Sequence, residues 1–291
     1  MTKNKIDARL EQCKAEGRKA LITFITAGDG GYDCTEKAVL EMAKNGAFIP
    51  FVTCGDPSLE VTEQLVYAME EAGADLIELG IPFSDPTAEG PVIQCASERS
   101  LRSGTTLVGI FDLVRRLRKE TDVPLLLMMY LNTIFRFGTD RFFALCEECG
   151  IDGVIVPDIP FEEKDEIQGS ADAHNVHNIS LVTPASEDRI QMIASEATGF
   201  LYCVSSNGVT GVRSQFQTDF APFFERIHKY AKVPCAVGFG ISGPEAAREM
   251  SQYCDGVIVG SAVVRLVEQY GSDAPKEIGA FTKSLRDALD A

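Results

Sequence analysis

Short apolar runs alternate along the chain with longer segments in which apolar residues recur at helical spacing. Most of the runs are apolar at nearly every position, which is typical of strands covered on both faces. The predicted strands are Leu21–Thr26, Phe48–Cys54, Leu76–Gly80, Pro124–Tyr130, Gly153–Val156, Ile179–Val182, Phe200–Val204, Pro234–Gly238 and Gly256–Gly260. A helical stretch is predicted after each strand; examples, with the N-terminal helix, are Lys5–Glu16, Glu60–Glu71, Thr106–Lys119, Arg141–Cys149, Glu187–Ala197, Pro222–Tyr230 and Pro244–Ser251.

Regular alternation of strand and helix predicts parallel strands joined by right-handed crossovers. The 291 residues could make two domains of ~150 residues or one α/β barrel of ~250 residues. No Ser/Gly-rich linker and no change of composition divides the chain. We therefore predict a single TIM (β/α)8 barrel domain over residues 1–291.

Nine predicted strands are one more than this barrel holds, and an internal repeat accounts for the excess. Residues 20–47 align without gaps to residues 47–74 at a constant offset of 27 residues. The identical pairs include the turn residues Gly28 and Gly55, and Asp29 and Asp56. We interpret this as a duplicated strand–loop–helix unit, either natural or engineered.

The two copies compete for the position of the first strand. The second copy runs directly into the strand Leu76–Gly80 and keeps Pro57 in its turn, where the first copy has the more flexible Gly30. We therefore expect the second copy in the barrel and Leu21–Lys44 outside it, as a supernumerary unit. The converse stays open, because the first copy directly follows the N-terminal helix.

The negative charge of the chain argues against some classes of function. With 43 acidic and 27 basic residues, the formal net charge is −16, which argues against nonspecific binding to nucleic acid or to an anionic membrane. Hydrophobic residues make up 45% of the chain, which suits a large core. The chain has no apolar run of the ~18 residues that a membrane span needs, and its polar N-terminus does not look like a secretory signal.

The cysteine and histidine pattern indicates no disulfide framework and no metal site. Nine cysteines, an odd number spread along apolar segments, favour a reducing, cytoplasmic location. Cys146 and Cys149 form a CxxC without a second pair, so we interpret them as positions on a helix. We expect His174, His177 and His228 to be surface or packing residues.

One acidic residue, Glu78, interrupts the apolar strand Leu76–Gly80. If the strand carries it into the barrel, burial raises its pKa, so that it can act as an acid or a base near neutral pH. The alternative is a glutamate at a strand end that reaches solvent. The following loop carries Asp85 and Glu89 and is stiffened by prolines. Three acids at the C-terminal end of one strand predict the active site of a barrel.

Glycine-rich segments follow three of the later strands. Ser205–Arg213 suits a mobile lid that offers backbone N–H groups, although an ordinary glycine-rich loop is a serious alternative. Residues Gly238–Ser242 and the pair Gly260-Ser261 follow the last two strands. Glycine turns at these two places in a barrel are the usual site for a phosphate group, which backbone N–H groups and a helix N-terminus can bind.

The segments ELGIPFSDPTAEGPVIQ, YCVSSNGVTG, VGFGIS and IVGSAVV, in this order and spacing, resemble the tryptophan synthase alpha subunit family. The resemblance runs from the N-terminal helix to the C-terminus and leaves out one copy of the repeat. It implies a lyase of tryptophan biosynthesis that cleaves indole-3-glycerol phosphate by a retro-aldol reaction to indole and glyceraldehyde 3-phosphate. It also implies an alpha2beta2 complex with a beta subunit that holds PLP, with no cofactor and no metal in this chain.

The resemblance also implies roles for individual residues. Glu78 matches the general acid/base, and Glu89 matches a second catalytic acid that is often Asp in the family. The implied substrate-binding residues are Phe51, Tyr202, Thr210, Gly211, Phe239, Gly240, Gly260 and Ser261. Met128, Tyr130 and Asn132 match the apolar wall of the pocket and part of the surface that faces the beta subunit.

Other functions stay open at this point. The chain could be a free-standing indole-glycerol-phosphate lyase or another phosphate-binding barrel. It could also be a catalytically impaired variant, or one designed to study folding, that at most binds the beta subunit. The two acids favour catalysis, whereas an extra unit beside the first strand could disturb the pocket around Phe51.

Overall fold

The structure of the protein is a computed structural model, and it describes most of the β/α alternation. The described residues are 4–16, 20–23, 51–56, 58–71, 76–184, 186–204, 220–238, 243–259, 280–281, 284–285 and 287–288.

The strands of the described residues are short and pair in parallel. They are β1 Ala20–Thr23, β2 Phe51–Thr53, β3 Ile77–Gly80, β4 Leu125–Met128, β5 Gly153–Ile155, β6 His177–Asn178, β7 Leu181–Val182, β8 Leu201–Val204, β9 Cys235–Gly238 and β10 Gly256–Val259. One five-stranded sheet has the order β1-β10-β9-β8-β7, and the other has the order β2-β3-β4-β5-β6. The parallel pairing predicted from the alternation of elements is confirmed.

Helices follow most of these strands. They are α1 Lys5–Ala15, α2 Leu59–Glu71, α3 Pro91–Arg102, α4 Leu107–Leu117, α5 Leu131–Phe137, α6 Thr139–Cys149, α7 Asp165–Ala173, α8 Glu187–Glu196, α9 Phe220–Tyr230 and α10 Pro244–Ser251, with a short 3-10 helix at Phe161–Glu163. The sequence does not give bounds for α3, α5 and α7, although α7 lies after β5, where the alternation predicts a helix. None of the described helices has the length and apolar character that a membrane span requires.

A single run of chain joins the two sheets at one side. Strand β6 pairs with β5, and β7 pairs with β8. Between them, the Ile179 N–H donates to the Val154 carbonyl at 2.9 Å, and the Ser180 carbonyl accepts from the Tyr202 N–H at 3.0 Å. Residues 177–182 therefore occupy one strand position and hydrogen-bond to a neighbour on each side.

The other side, where β1 and β2 lie, corrects one expectation. Ala20–Thr23 pairs in parallel with Gly256–Val259, so β1 belongs to the sheet. The prediction that Leu21–Lys44 lies outside the barrel is therefore wrong for Leu21–Thr23, and residues 24–44 lie outside the described residues. The physical reason is that the edge of β10 offers unpaired backbone groups, and the strand that follows α1 satisfies them.

The strands separate an interior cluster of side chains from an outer layer that packs against the helices. On β3, Ile77 and Leu79 belong to the large cluster that packs against the helices. Leu76 belongs to the smaller interior cluster with Leu126, Ile155 and other strand residues. Ile6 of α1 is fully buried in this interior cluster, so α1 covers the N-terminal end of the barrel.

Candidate active site

Glu78 lies inside the barrel. Side chains alternate between the two faces of a strand, so Glu78 shares the interior face with Leu76 and not the outer face with Ile77 and Leu79. It is 6% exposed, and its Oε1 atom accepts no hydrogen bond from the residues that the structure describes. Burial raises its pKa to about 7. The predicted burial and raised pKa are confirmed, with Ile77 and Leu79 on the opposite face of the strand.

Tyr202 lies on β8 and belongs to the same interior cluster as Leu76. Burial raises the pKa of its phenol, and the negative charge of Glu78 raises it further. The two groups are therefore close enough to interact electrostatically. On the neighbouring strand β9, a Cβ atom at Gly238 would lie 2.7 Å from the Tyr202 hydroxyl oxygen. Gly238 is therefore the residue that leaves room for the tyrosine ring.

Glu89 lies in the loop between β3 and α3. It is half-buried, and its Oε2 atom is buried without a hydrogen-bond partner among the described residues. Burial raises its pKa to about 7. The Gln94 side chain donates to the Glu89 carbonyl at 2.9 Å, which ties the residue to the first turn of α3.

Asp85, the third acid of this loop, differs from the other two. It is exposed and accepts a hydrogen bond from the Ser84 hydroxyl at 2.6 Å. Asp85 therefore does not fit the prediction of three acids at one site, because the loop turns it toward solvent. That Glu78 and Glu89 share a site stays a prediction.

The turn after β2 is held by the end of α3. Asp56 is 1% exposed and accepts two hydrogen bonds from the Arg99 guanidinium, at 2.8 and 3.1 Å. Ser100 donates to the Cys54 carbonyl at 2.5 Å. Gly55 has a φ of +79°, and a Cβ atom there would lie 1.9 Å from the Thr105 hydroxyl. Sequence reasoning found the glycine and the aspartate of this turn and missed Arg99, whose partner lies 43 residues away.

Most of the remaining predicted site residues lie outside the described part of the chain. The backbone of Phe51 lies on β2 opposite Glu78. The substrate-binding candidates Thr210, Gly211, Phe239, Gly240, Gly260 and Ser261 lie outside the described residues, as does the lid segment Ser205–Arg213. The described strands β8, β9 and β10 end just before these segments, and β9 pairs with both neighbours.

Two half-protonated acids, one in the barrel interior and one in the loop that follows the same strand, suit proton transfer. An acid whose pKa is near 7 has both its proton-donating and its proton-accepting form present at neutral pH. Glu78 and Glu89 are the described glutamates whose pKa rises to about 7. The described part of the chain brings no three His, Cys, Asp or Glu side chains together as metal ligands.

Known proteins resemble this chain along nearly its whole length. The family model for the tryptophan synthase alpha chain matches residues 38–289. The alpha chain of Caldanaerobacter subterraneus is 42% identical over 288 residues, covering 98% of this chain and 100% of the relative. That of Alkaliphilus metalliredigens is 48% identical over 265 residues, covering 91% and 90%.

Solved structures agree with these relatives. The alpha subunit from Legionella pneumophila has a TM-score of 0.74 at 34% identity, covering 99% of both chains. A structure of the tryptophan synthase a2b2 complex from Pyrococcus furiosus has a TM-score of 0.68 at 30% identity, covering 91% of this chain and 97% of that one. The chain therefore belongs to the tryptophan synthase alpha chain family.

Proposed function

We propose that this protein is a lyase that cleaves indole-3-glycerol phosphate to indole and glyceraldehyde 3-phosphate in tryptophan biosynthesis. Membership of the family supports the reaction. The observation that carries the proposal for this chain is Glu78. Its carboxyl group lies in the barrel interior with a pKa of about 7, and one of its oxygens has no hydrogen-bond partner among the described residues.

The reaction requires one proton to be added and one to be removed. Glu78 protonates carbon 3 of the indole ring. The carboxylate that this leaves then takes the proton of the hydroxyl beside the bond to be broken. The electron pair of the carbon–carbon bond then returns to the ring, which leaves as indole, and the alkoxide oxygen becomes the aldehyde. Glu89 lies beside the ring nitrogen and stabilises the positive charge that develops on the protonated ring.

The test is indole release from indole-3-glycerol phosphate. We expect the wild-type chain to release indole, and Glu78→Gln to lose nearly all of this activity while it stays folded. Glu98→Gln is the matched control, because Glu98 is exposed on α3 and pairs with Arg102. Near-normal turnover of Glu78→Gln would exclude the proposed role.

The assay is repeated with a tryptophan synthase beta subunit, which is the partner that the family indicates. PLP belongs to that subunit, and the proposed chemistry of this chain uses side-chain acids alone. If the chain binds the beta subunit but releases no indole with or without it, the catalytically impaired alternative is correct. The cytoplasmic location stays a prediction from the cysteine pattern.

The proposed phosphate site comprises the glycine turns after the last two strands. Because β9 and β10 are neighbours, the turns that follow them begin side by side, which supports a shared site. We expect Ser261→Asp or Gly240→Asp to weaken binding of the substrate by like-charge repulsion and to leave binding of indole unchanged. Equal weakening for both ligands would indicate misfolding instead.

For the repeat, we propose that both copies contribute to one strand position. In the alignment of the copies, Ala20–Thr23 corresponds to residues 47–50, which directly precede Phe51–Thr53. Strands β1 and β2 therefore carry consecutive positions of one repeat unit. β1 pairs with the last strand and β2 with β3, as the two halves of a single first strand would do. Counting this pair as one position, and residues 177–182 as another, gives eight positions.

The described contacts of the repeat after this strand come from the second copy. Gly55 and Asp56 occupy the turn held by α3. Glu63 of α2 accepts a hydrogen bond from Arg116 of α4 at 2.8 Å. The family model likewise takes in the whole second copy and only the end of the first. On this proposal, residues 24–50, which equal one repeat of 27 residues, are the supernumerary unit.

Identical residues in the two copies allow a matched test of this proposal. Ile22 corresponds to Ile49, and Phe24 corresponds to Phe51. A shared strand requires Ile22 of the first copy and Phe51 of the second. Ile22→Asp and Phe51→Asp should therefore each cost at least about 3 kcal/mol of stability, because a charge then replaces an apolar residue in a paired strand of the sheet. Ile49→Asp and Phe24→Asp should cost much less.

If Ile49→Asp and Phe51→Asp both cause a large loss of stability, the second copy fills the whole strand instead. Deletion of residues 24–50 joins Thr23 to Phe51 and should give a chain at least as stable as the full one. A large loss of stability on this deletion would contradict the proposal. Urea unfolding measures both outcomes.

A further inference from the structure

We infer that Tyr130 is a positioning residue, whose hydroxyl holds the loop that carries Glu89. This inference rests on the proposed function, because the loop matters for catalysis only if Glu89 takes part in it. Tyr130 follows β4 and is 3% exposed. The Ala88 N–H donates to its hydroxyl oxygen at 2.9 Å, one residue before the catalytic candidate.

A second contact fixes the other end of the loop. The ring of Phe83 stacks on the ring of Tyr130, with centroids 4.9 Å apart and an angle of 24° between the planes. Phe83 and Ala88 bracket the exposed residues Ser84 and Asp85. One buried tyrosine therefore holds both ends of the loop, its ring holding one end and its hydroxyl the other.

The backbone next to Tyr130 is held by the loop that follows β5. Tyr130 is the N-cap residue of α5, and its side chain caps no backbone group of that helix. Instead, the Leu131 N–H donates to Oδ1 of Asp158 at 2.9 Å, and Asp158 lies in the loop after β5. The loops after β3, β4 and β5 are thus joined through Tyr130 and Leu131.

This linkage has a direct consequence for Glu89. The Glu89 carboxyl has one buried oxygen with no partner among the described residues, so its raised pKa depends on the loop staying in place. If the loop moves, water reaches the carboxyl and solvates its charged form. Removal of the Tyr130 hydroxyl should therefore have two effects: the Glu89 carboxyl moves from its position, and the pKa of Glu89 falls.

The first test is the Tyr130→Phe variant of the full chain, which keeps the ring stack and removes the acceptor. We expect kcat for indole release to fall about tenfold, with KM changed by less than about twofold, because one hydrogen bond that orients a catalytic group is lost. The acidic limb of the pH–kcat profile should move to lower pH. Tyr67→Phe is the matched control, because the Tyr67 hydroxyl contacts Glu63 on α2, and it should leave all three quantities unchanged.

Hydrogen exchange supplies a measurement that needs no activity. In Tyr130→Phe the Ala88 amide should exchange about tenfold faster than in the wild type, with an unchanged urea midpoint. If the wild type releases no indole, the proposed function fails, and the exchange rate still tests whether Tyr130 holds the loop. Unchanged kcat and an unchanged exchange rate of the Ala88 amide in Tyr130→Phe would overturn the inference. An increase in KM with an unchanged kcat would overturn it too.

Discussion

The substitution Glu78→Gln separates the catalytic role of this side chain from its cost to stability. Glutamine keeps the size of the side chain and removes its ionisation. Below pH about 4.5, the carboxyl is protonated in both the unfolded and the folded chain. As the pH rises from 4.5 toward the folded pKa of about 7, the unfolded chain ionises while the folded chain keeps the proton. The raised pKa therefore makes the protein less stable as the pH rises through this window.

The size of the effect follows from the two pKa values, 4.5 and about 7. Ionisation of this carboxyl multiplies the equilibrium constant of unfolding by about 4 at about pH 5 and by about 300 at about pH 8. The ratio of these factors corresponds to about 2–3 kcal/mol. The wild type should therefore lose up to about 2–3 kcal/mol more stability than Glu78→Gln between these two pH values.

Urea unfolding of both proteins at about pH 5 and about pH 8 measures this difference. Any fixed cost of burying the glutamine amide cancels, because it is the same at both pH values. Glu98→Gln, the exposed control, should behave as the wild type does. Equal pH dependence in the wild type and Glu78→Gln would refute the raised pKa, and with it the physical basis of the proposed role.

Three further changes test other parts of the site and fold. Glu89→Gln should lower the rate of indole release at least about tenfold, whereas Glu89→Asp, if equally active, would show that the longer acid is merely tolerated. Gly238→Ala places a methyl group 2.7 Å from the Tyr202 hydroxyl, and should raise KM or abolish activity in a steady-state assay. Ile6→Ala removes a fully buried side chain under the barrel and should cost about 2–5 kcal/mol in urea unfolding.

The pattern of apolar residues was sufficient for the sheet and for most helices. Strands such as Leu125–Met128 are buried on both faces, so their composition is distinctive. Helix α3 was missed because Gly90 and Pro91 look like a loop, although proline is favoured at the first position of a helix. The short helix α5 was missed because its apolar residues continue those of β4 without a break.

The pattern was less informative about the site. Glu78 stood out because a charge in an apolar run is rare, although the sequence alone also allowed it to reach solvent at the end of the strand. The exposure of Asp85 and the Tyr130–Ala88 hydrogen bond depend on the path of one loop, which no periodicity encodes. Likewise, Arg99 looks like any other arginine on a helix until the fold brings Asp56 beside it.

The repeat shows why two good local signals can still leave the architecture open. Both copies carry a similar apolar segment and the same Gly-Asp pair, so each sequence is locally suited to the first strand position. The first copy has the advantage of following α1, and its strand reaches the edge of β10. The second has the advantage of preceding β3, and its turn reaches Arg99. Each advantage comes from chain connectivity and acts on a different half of the strand. A strand position filled by both copies satisfies both constraints, whereas choosing one copy gives up the contacts of the other.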